Sequence, residues 1–274
     1  VKQPKRLSVF VLGAGKVGQG LARALRAKGV PVTVRAARKK LPRTIDAALV
    51  VVAVRDAHVT PMAERLRGVV TRHAAVVHVA GALDPGALSP LRGSCAGVAQ
   101  MHPLISFAST RVTPALGGGS LLVRGDAPAV ARAKELGRAL GMVPRTFRPF
   151  DPIAYHAAAG LVANGAAALA SVGAQLLEVA GVPPNLTPLL LGPLLRSVAD
   201  NVRALGFPDA LTGPVRRGDA GAVERHLATL GAKLAAAVPL YRASAEAQLP
   251  LARALGEASA DAYDAIEAVL GHAG

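Results

Sequence analysis

The chain has 274 residues, 51% of them hydrophobic, and is long enough to bury one large core or two ordinary ones. Its only cysteine is Cys95, which excludes an intrachain disulfide, leaves the fold to rest on packing, and points to the reducing environment of the cytoplasm. A net charge of +15 calls for an anionic partner, but three Tyr, five Phe and no Trp offer few surfaces for stacking bases, which argues against nucleic acid.

In chain order, 7–12 is a short apolar run that reads as a buried strand. It passes straight into Gly13-Ala14-Gly15-Lys16-Val17-Gly18, with no cleavage site of the kind that ends a signal peptide. Val17, Leu21, Ala24 and Leu25 then recur at helical spacing until Gly29 ends the helix. Strands are expected at 32–34, at 49–54 (a continuous apolar run suited to a strand covered on both faces), at 75–79, at 120–123 and at 144–147. Helices are expected at 62–66 and 128–140. This alternation predicts an α/β domain with a doubly wound parallel sheet of the Rossmann type over 1–150.

At Asp151-Pro152 an Asp cap and a first-turn Pro open a run with no further strand pattern. Helices are expected over 155–179, 186–205, 219–240 and 243–271, so 151–274 is predicted to be an all-helical domain for substrate binding and dimerisation. Residues 157–177 carry no charge and have the length of a membrane span. They are built mainly of Ala, Gly, Ser, Asn and Gln, so a central helix packed against its neighbours is expected and no membrane association.

The glycine run follows a strand and opens a helix, which makes it a dinucleotide-binding turn. Gly13 allows the tight turn, Gly15 lets bare backbone approach a pyrophosphate, and Gly18 lets the helix pack on the sheet; Ala14, Lys16 and Val17 complete the loop. At the tip of the second strand, where an acid would hold the ribose hydroxyls of NAD, stands Arg35, followed by Arg38. Guanidinium pairs with phosphate in charge-assisted bonds, so NADP(H) is expected over NAD(H) by about tenfold to a hundredfold. Lys39 and Lys40 are expected to be solvated. Ala53, Val54 and Arg55, and Gly81, follow apolar strands and are expected to be further cofactor walls. The charge is polarised to match: residues 1–45 carry twelve Lys/Arg and no Asp/Glu, whereas 244–274 carry five acidic residues against Arg253 alone.

A nucleotide domain followed by a helical half resembles the superfamily of pyrroline-5-carboxylate reductase, ketopantoate reductase, prephenate dehydrogenase and the 6-phosphogluconate dehydrogenase-like hydroxyacid dehydrogenases. Four segments narrow the likeness: Val77-His78-Val79-Ala80-Gly81-Ala82, Met101-His102-Pro103-Leu104-Ile105-Ser106-Phe107, Tyr155-His156-Ala157-Ala158-Ala159 reaching Asn164, and Leu211-Thr212-Gly213-Pro214-Val215-Arg216-Arg217-Gly218-Asp219. They look like those of Rossmann-like oxidoreductases with a C-terminal domain of unknown function. The superfamily implies hydride transfer between the domains, with the helical domain supplying substrate contacts and a homodimer interface. It also implies a Lys one helical turn before Asn164, where this chain has Gly160.

Candidate replacements are His102, whose His-Pro step is similar to that of prephenate dehydrogenases, and His156, which lies about 80° around the helix from Asn164. Asn164 is expected to orient the substrate, with Thr212 and Arg217 facing it. Asp219 is expected to cap the next helix, and His78 and His226 to be structural. No Cys/His grouping has metal-ligand spacing. The expected function is NADPH-dependent reduction of a C=O or C=N bond in a small metabolite, a ketopantoate-like keto acid or a cyclic imine. The alternative is a catalytically silent NADP(H)-binding sensor or scaffold.

Overall fold

The computed structural model describes residues 7–271. It divides into two compact units, 1–163 and 164–274. The division falls inside a helix that begins where the sequence expectation drew its boundary.

The first unit is a seven-stranded sheet in the order β2-β1-β3-β4-β5-β6-β7. Its strands are β1 (Val9–Leu12), β2 (Val32–Arg35), β3 (Leu49–Val52), β4 (Ala75–His78), β5 (Gly97–Pro103), β6 (Ser120–Gly125) and β7 (Val143–Arg145). Strands β1 to β5 run parallel; β6 pairs antiparallel with β5 and parallel with β7. The sheet is therefore mostly parallel, with one reversal that strand-helix alternation does not show. Strand β5 has no counterpart among the expected strands, because Gly97, Gln100 and His102 interrupt its apolar pattern.

Alternation along the strands builds two cores. Val9, Val11, Leu49, Val51, Val77 and Met101 face one layer with Leu21 and Leu25 of α1 (Lys16–Ala27) and Ala133 and Leu136 of α3 (Ala127–Ala139). Phe10, Leu12, Val50, Val52, Val76 and Val98 face the other, against Met62 and Leu66 of α2 (Val59–Leu66). Each fully buried Leu contributes ~1.5–3 kcal/mol by leaving water. Sequence order reverses at β1, whose neighbours are β2 and β3, so the crevice at the carboxyl ends of β1 and β3 lies in front of the glycine turn.

Asp151 caps α4 (Pro152–Val179) as expected, its Oδ1 accepting from the N–H groups of Ile153 and Ala154 at 2.8 and 3.1 Å. Helix α5 spans Thr187–Leu205. The two remaining expected helices are each broken. The first ends at Lys233, because Leu234 leaves helical geometry at φ −155° and Pro239 restarts a helix where its missing N–H costs nothing. That gives α6 (Ala220–Lys233) and α7 (Val238–Leu255). The second is cut by left-handed Gly256 at the end of α7, so α8 begins at Ala260.

Helices α6 to α8 share a core of Val223, Ala245, Leu249, Tyr263 and Ile266. Helices α4 and α5 contribute nothing to it. The expectation that α4 packs as a central helix is corrected here: among the described residues none of α4 is fully buried, although the helix is long and apolar enough to cross a membrane.

Candidate functional site

The three glycines of the turn meet three different surroundings. Gly13 adopts φ +126°, and a Cβ there would lie 2.1 Å from the Ala53 carbonyl oxygen; a Cβ on Gly18 would lie 2.0 Å from the Gly13 oxygen. Both positions are closed by backbone, so β1, β3 and α1 can meet only through glycine. Gly15 is exposed, and a Cβ on it would meet no atom within 4 Å. It keeps open the space before α1, whose first turn has no side-chain cap and no acidic residue. Free N–H groups and the positive helix end therefore face that space, and an anion fits there. Exposed Lys16 and Arg55 and half-buried Ala14, Val17, Ala53 and Val54 surround the turn.

Arg35 ends β2 beside it, its carbonyl accepting from the Gly13 N–H at 2.8 Å. Its Nε donates to the Lys40 carbonyl at 2.5 Å, which secures the following loop and leaves both terminal nitrogens without a partner among the described residues. Arg38 is exposed on the turn closed by the Lys39 N–H and the Ala36 carbonyl at 3.0 Å, and Lys39 and Lys40 are solvated. Arg65 of α2 donates to the Ala37 carbonyl at 3.1 Å. It brings a third guanidinium to this turn that its place on a helix face does not announce.

The second grouping gathers over Gly81, just past β4. A Cβ on Gly81 would lie 2.3 Å from His156 Nδ1 and 3.0 Å from His102 Nε2. Two histidines far apart in sequence thus converge on one glycine, with ring centroids 5.9 Å apart. Gln100, fully buried on β5, donates through Nε2 to the carbonyls of Ala80 and Gly81 at 2.8 and 3.0 Å and so fixes this turn. His102 Nδ1 lies 3.2 Å from the Tyr155 hydroxyl, and Tyr155 packs on Phe150, which Arg124 covers at 4.5 Å.

Burial, and after it the nearby His156 and His78, push the His102 imidazole down to about 4, so it is neutral near pH 7. A neutral ring keeps an N–H that can donate a hydrogen bond. Burial also lowers His78 and raises the Tyr155 phenol. His78 is structural, packed in the sheet with Nε2 3.2 Å from the Asp84 carbonyl. The sequence alone does not single out Gln100, and it presents Tyr155 only within a family-like segment, without a role. Cys95 is half-buried, its thiol pushed up by burial. Among the described residues no three His, Cys, Asp or Glu side chains gather as a metal site.

Residues 120–248 match the model of a domain of unknown function, DUF2520. No curated protein matches the sequence. Among solved structures, the chain is similar to a Bacteroides fragilis protein provisionally assigned as an NADP oxidoreductase, with TM-score 0.71 and 19% identity over 90% of this chain and 100% of that one. A Thermotoga maritima protein gives TM-score 0.64 and 22% identity over 90% and 99%. Pyrroline carboxylate reductase of Plasmodium falciparum, solved with NADP bound, gives 0.60 and 12% over 91% and 100%. The chain has a Rossmann-like fold, and its residues 120–248 resemble the DUF2520 model. At these identities the likeness establishes the fold.

The DUF2520 match opens at β6 and closes within α7, so it takes in the last two strands of the sheet as well as helices of the second unit. The remaining candidates lie in that second unit. Asn164 is exposed, two turns beyond His156 along α4, and Thr212 and Arg217 are exposed in the connection before α6. That connection is held by the neighbouring Arg216, which pairs with Glu257 through bonds of 2.6 and 2.8 Å and donates to the Asp209 and Leu211 carbonyls. Asp219 caps α6 through the Ala222 N–H at 2.9 Å, as expected. His226 pairs with the Tyr241 hydroxyl at 2.8 Å.

Proposed function

We propose that this chain is an NADPH-dependent oxidoreductase that reduces a C=O or C=N bond of a small metabolite, a keto acid or a cyclic imine. The observation that carries the reading is the open space at Gly15, bounded by an uncapped helix start and by unpaired guanidinium nitrogens on Arg35. Backbone N–H groups of 13–18 would hold the pyrophosphate, and Arg35 and Arg38, with Arg65 behind them, would hold a 2′-phosphate. When bound, NADPH supplies the hydride. His102 and His156, which meet over Gly81 at the carboxyl end of β4, would act on a substrate atom there. Asn164 as the residue that orients the substrate, and Thr212 and Arg217 as substrate contacts, are part of this proposal.

A cytoplasmic homodimer formed through the helical unit is part of this proposal. It is supported by the apolar residues that α4 and α5 leave in solvent, among them Leu161 at 78%, Leu189 at 66% and Leu194 at 58% exposure. A monomer seldom exposes more than a few hundred Å² of contiguous apolar surface.

The silent-sensor alternative draws support from Gly160, where the superfamily places a Lys. The test is NADPH oxidation against a panel of keto acids and cyclic imines. The expected result is turnover with at least one substrate and a fall in kcat of about a hundredfold or more in His102→Ala. Tight NADPH binding with no turnover across the panel is the result expected of a sensor.

A further inference from the structure

We propose that Tyr155 is a positioning residue: its hydroxyl donates to His102 Nδ1, holds the imidazole as the Nε2–H tautomer and aims that N–H across Gly81 at the oxygen or nitrogen of the substrate. The catalytic part rests on the function proposed above; the tautomer does not.

Geometry supplies the first support. The Tyr155 hydroxyl lies 3.2 Å from Nδ1, and the rings meet edge to face at 5.6 Å and 82°. The hydroxyl is half-buried, with Nδ1 as its one hydrogen-bond partner among the described residues. Phe150 holds the ring from the other side with centroids 5.2 Å apart, and Arg124 secures Phe150 while reaching Asp84 at 3.3 Å. Tyr155 is therefore braced in one position.

Donor and acceptor strength settles the direction of the bond. Phenol is the better donor and an imidazole lone pair the better acceptor, so O–H to nitrogen is the stronger arrangement and the ring proton is left on the far nitrogen. That nitrogen, Nε2, faces Gly81, where a Cβ would come within 3.0 Å of it. A neutral ring is what burial favours here, and a neutral N–H polarises a carbonyl or imine without giving up a full proton in the ground state. The chemistry selected is thus a substrate whose reacting atom accepts a hydrogen bond.

The tautomer is read directly by nitrogen-15 NMR of histidine-labelled protein near pH 7.5, with the His102 signals assigned by their loss in His102→Gln. Neither nucleotide nor substrate is needed. Wild-type His102 is expected to be protonated on Nε2, and Tyr155→Phe, which keeps the ring and removes the donor, to lower the Nε2–H to Nδ1–H ratio about fivefold to tenfold, the worth of one net hydrogen bond. A wild-type ring protonated on Nδ1, or an unchanged ratio in a folded Tyr155→Phe, overturns the proposal. Should the variant fail to fold, wild type alone can still overturn the proposal, by a ring protonated on Nδ1. If the tautomer is as expected but His102→Ala turns over normally, the pairing stands and the catalytic role given to His102 fails; if no substrate is turned over by wild type, the pairing stands and the proposed function fails.

Discussion

Gly15→Val is expected to remove NADPH binding while leaving the stability of the first unit within about 0.5 kcal/mol of wild type. A side chain at Gly15 meets no atom within 4 Å, and its φ of −79° is open to any residue. The chain tolerates the isopropyl group; a pyrophosphate seated on that backbone does not, and a loss of affinity of about a hundredfold or more follows. Gly13→Ala should behave in the opposite way. Its Cβ would be driven to 2.1 Å from the Ala53 oxygen in a left-handed backbone conformation, so the unit itself loses about 3 kcal/mol or more. Urea unfolding and calorimetric titration of the two variants separate these effects. Equal stability loss in both, or undiminished NADPH binding by Gly15→Val, would contradict the roles assigned to the glycines.

The double variant Leu190→Asp, Leu194→Asp is expected to convert a dimer into a monomer. Leu190, Leu194, Val198 and Val202 recur at every fourth position of α5, are each more than a third exposed and have no partner in the core of α6 to α8. Burying the seven large apolar residues that α5 leaves in solvent would yield on the order of 10 kcal/mol before the costs of association are met. Two buried carboxylates in such a contact would weaken it by about a thousandfold or more. Sedimentation velocity of wild type and variant reads the masses directly. A monomeric wild type would leave the apolar faces of α4 and α5 without the occupant proposed for them.

Much of this architecture follows from short-range chemistry. The strands of the first unit are runs of β-branched and apolar residues buried on both faces, and the turn after β1 is written in glycines whose spacing has a steric cause. Positions such as Asp151, Asp219 and Gly29 also declare themselves, because a cap is a contact between near neighbours. What could not be read depends on partners distant in the chain. The polar residues of β5 look wrong for a buried strand until Gln100 is seen holding the carbonyls of Ala80 and Gly81. The breaks at Leu234 and Gly256 are the exception, because Pro239 and Gly256 are local breakers in otherwise helical stretches. Tyr155 and Arg65 acquire meaning only through His102 and the 36–40 turn. The small-residue composition of α4 suggested full burial, and none of its residues is fully buried among the described residues.

The central claim, that phosphate is held by bare backbone at 13–18 and by guanidinium beyond β2, is tested most directly by calorimetric titration with NADPH and NADH, using wild type and Arg35→Ala. The account predicts that wild type binds NADPH about tenfold to a hundredfold more tightly than NADH, and that Arg35→Ala erases most of this difference by weakening NADPH alone. Equal affinity of wild type for the two nucleotides, or binding of neither, would contradict it.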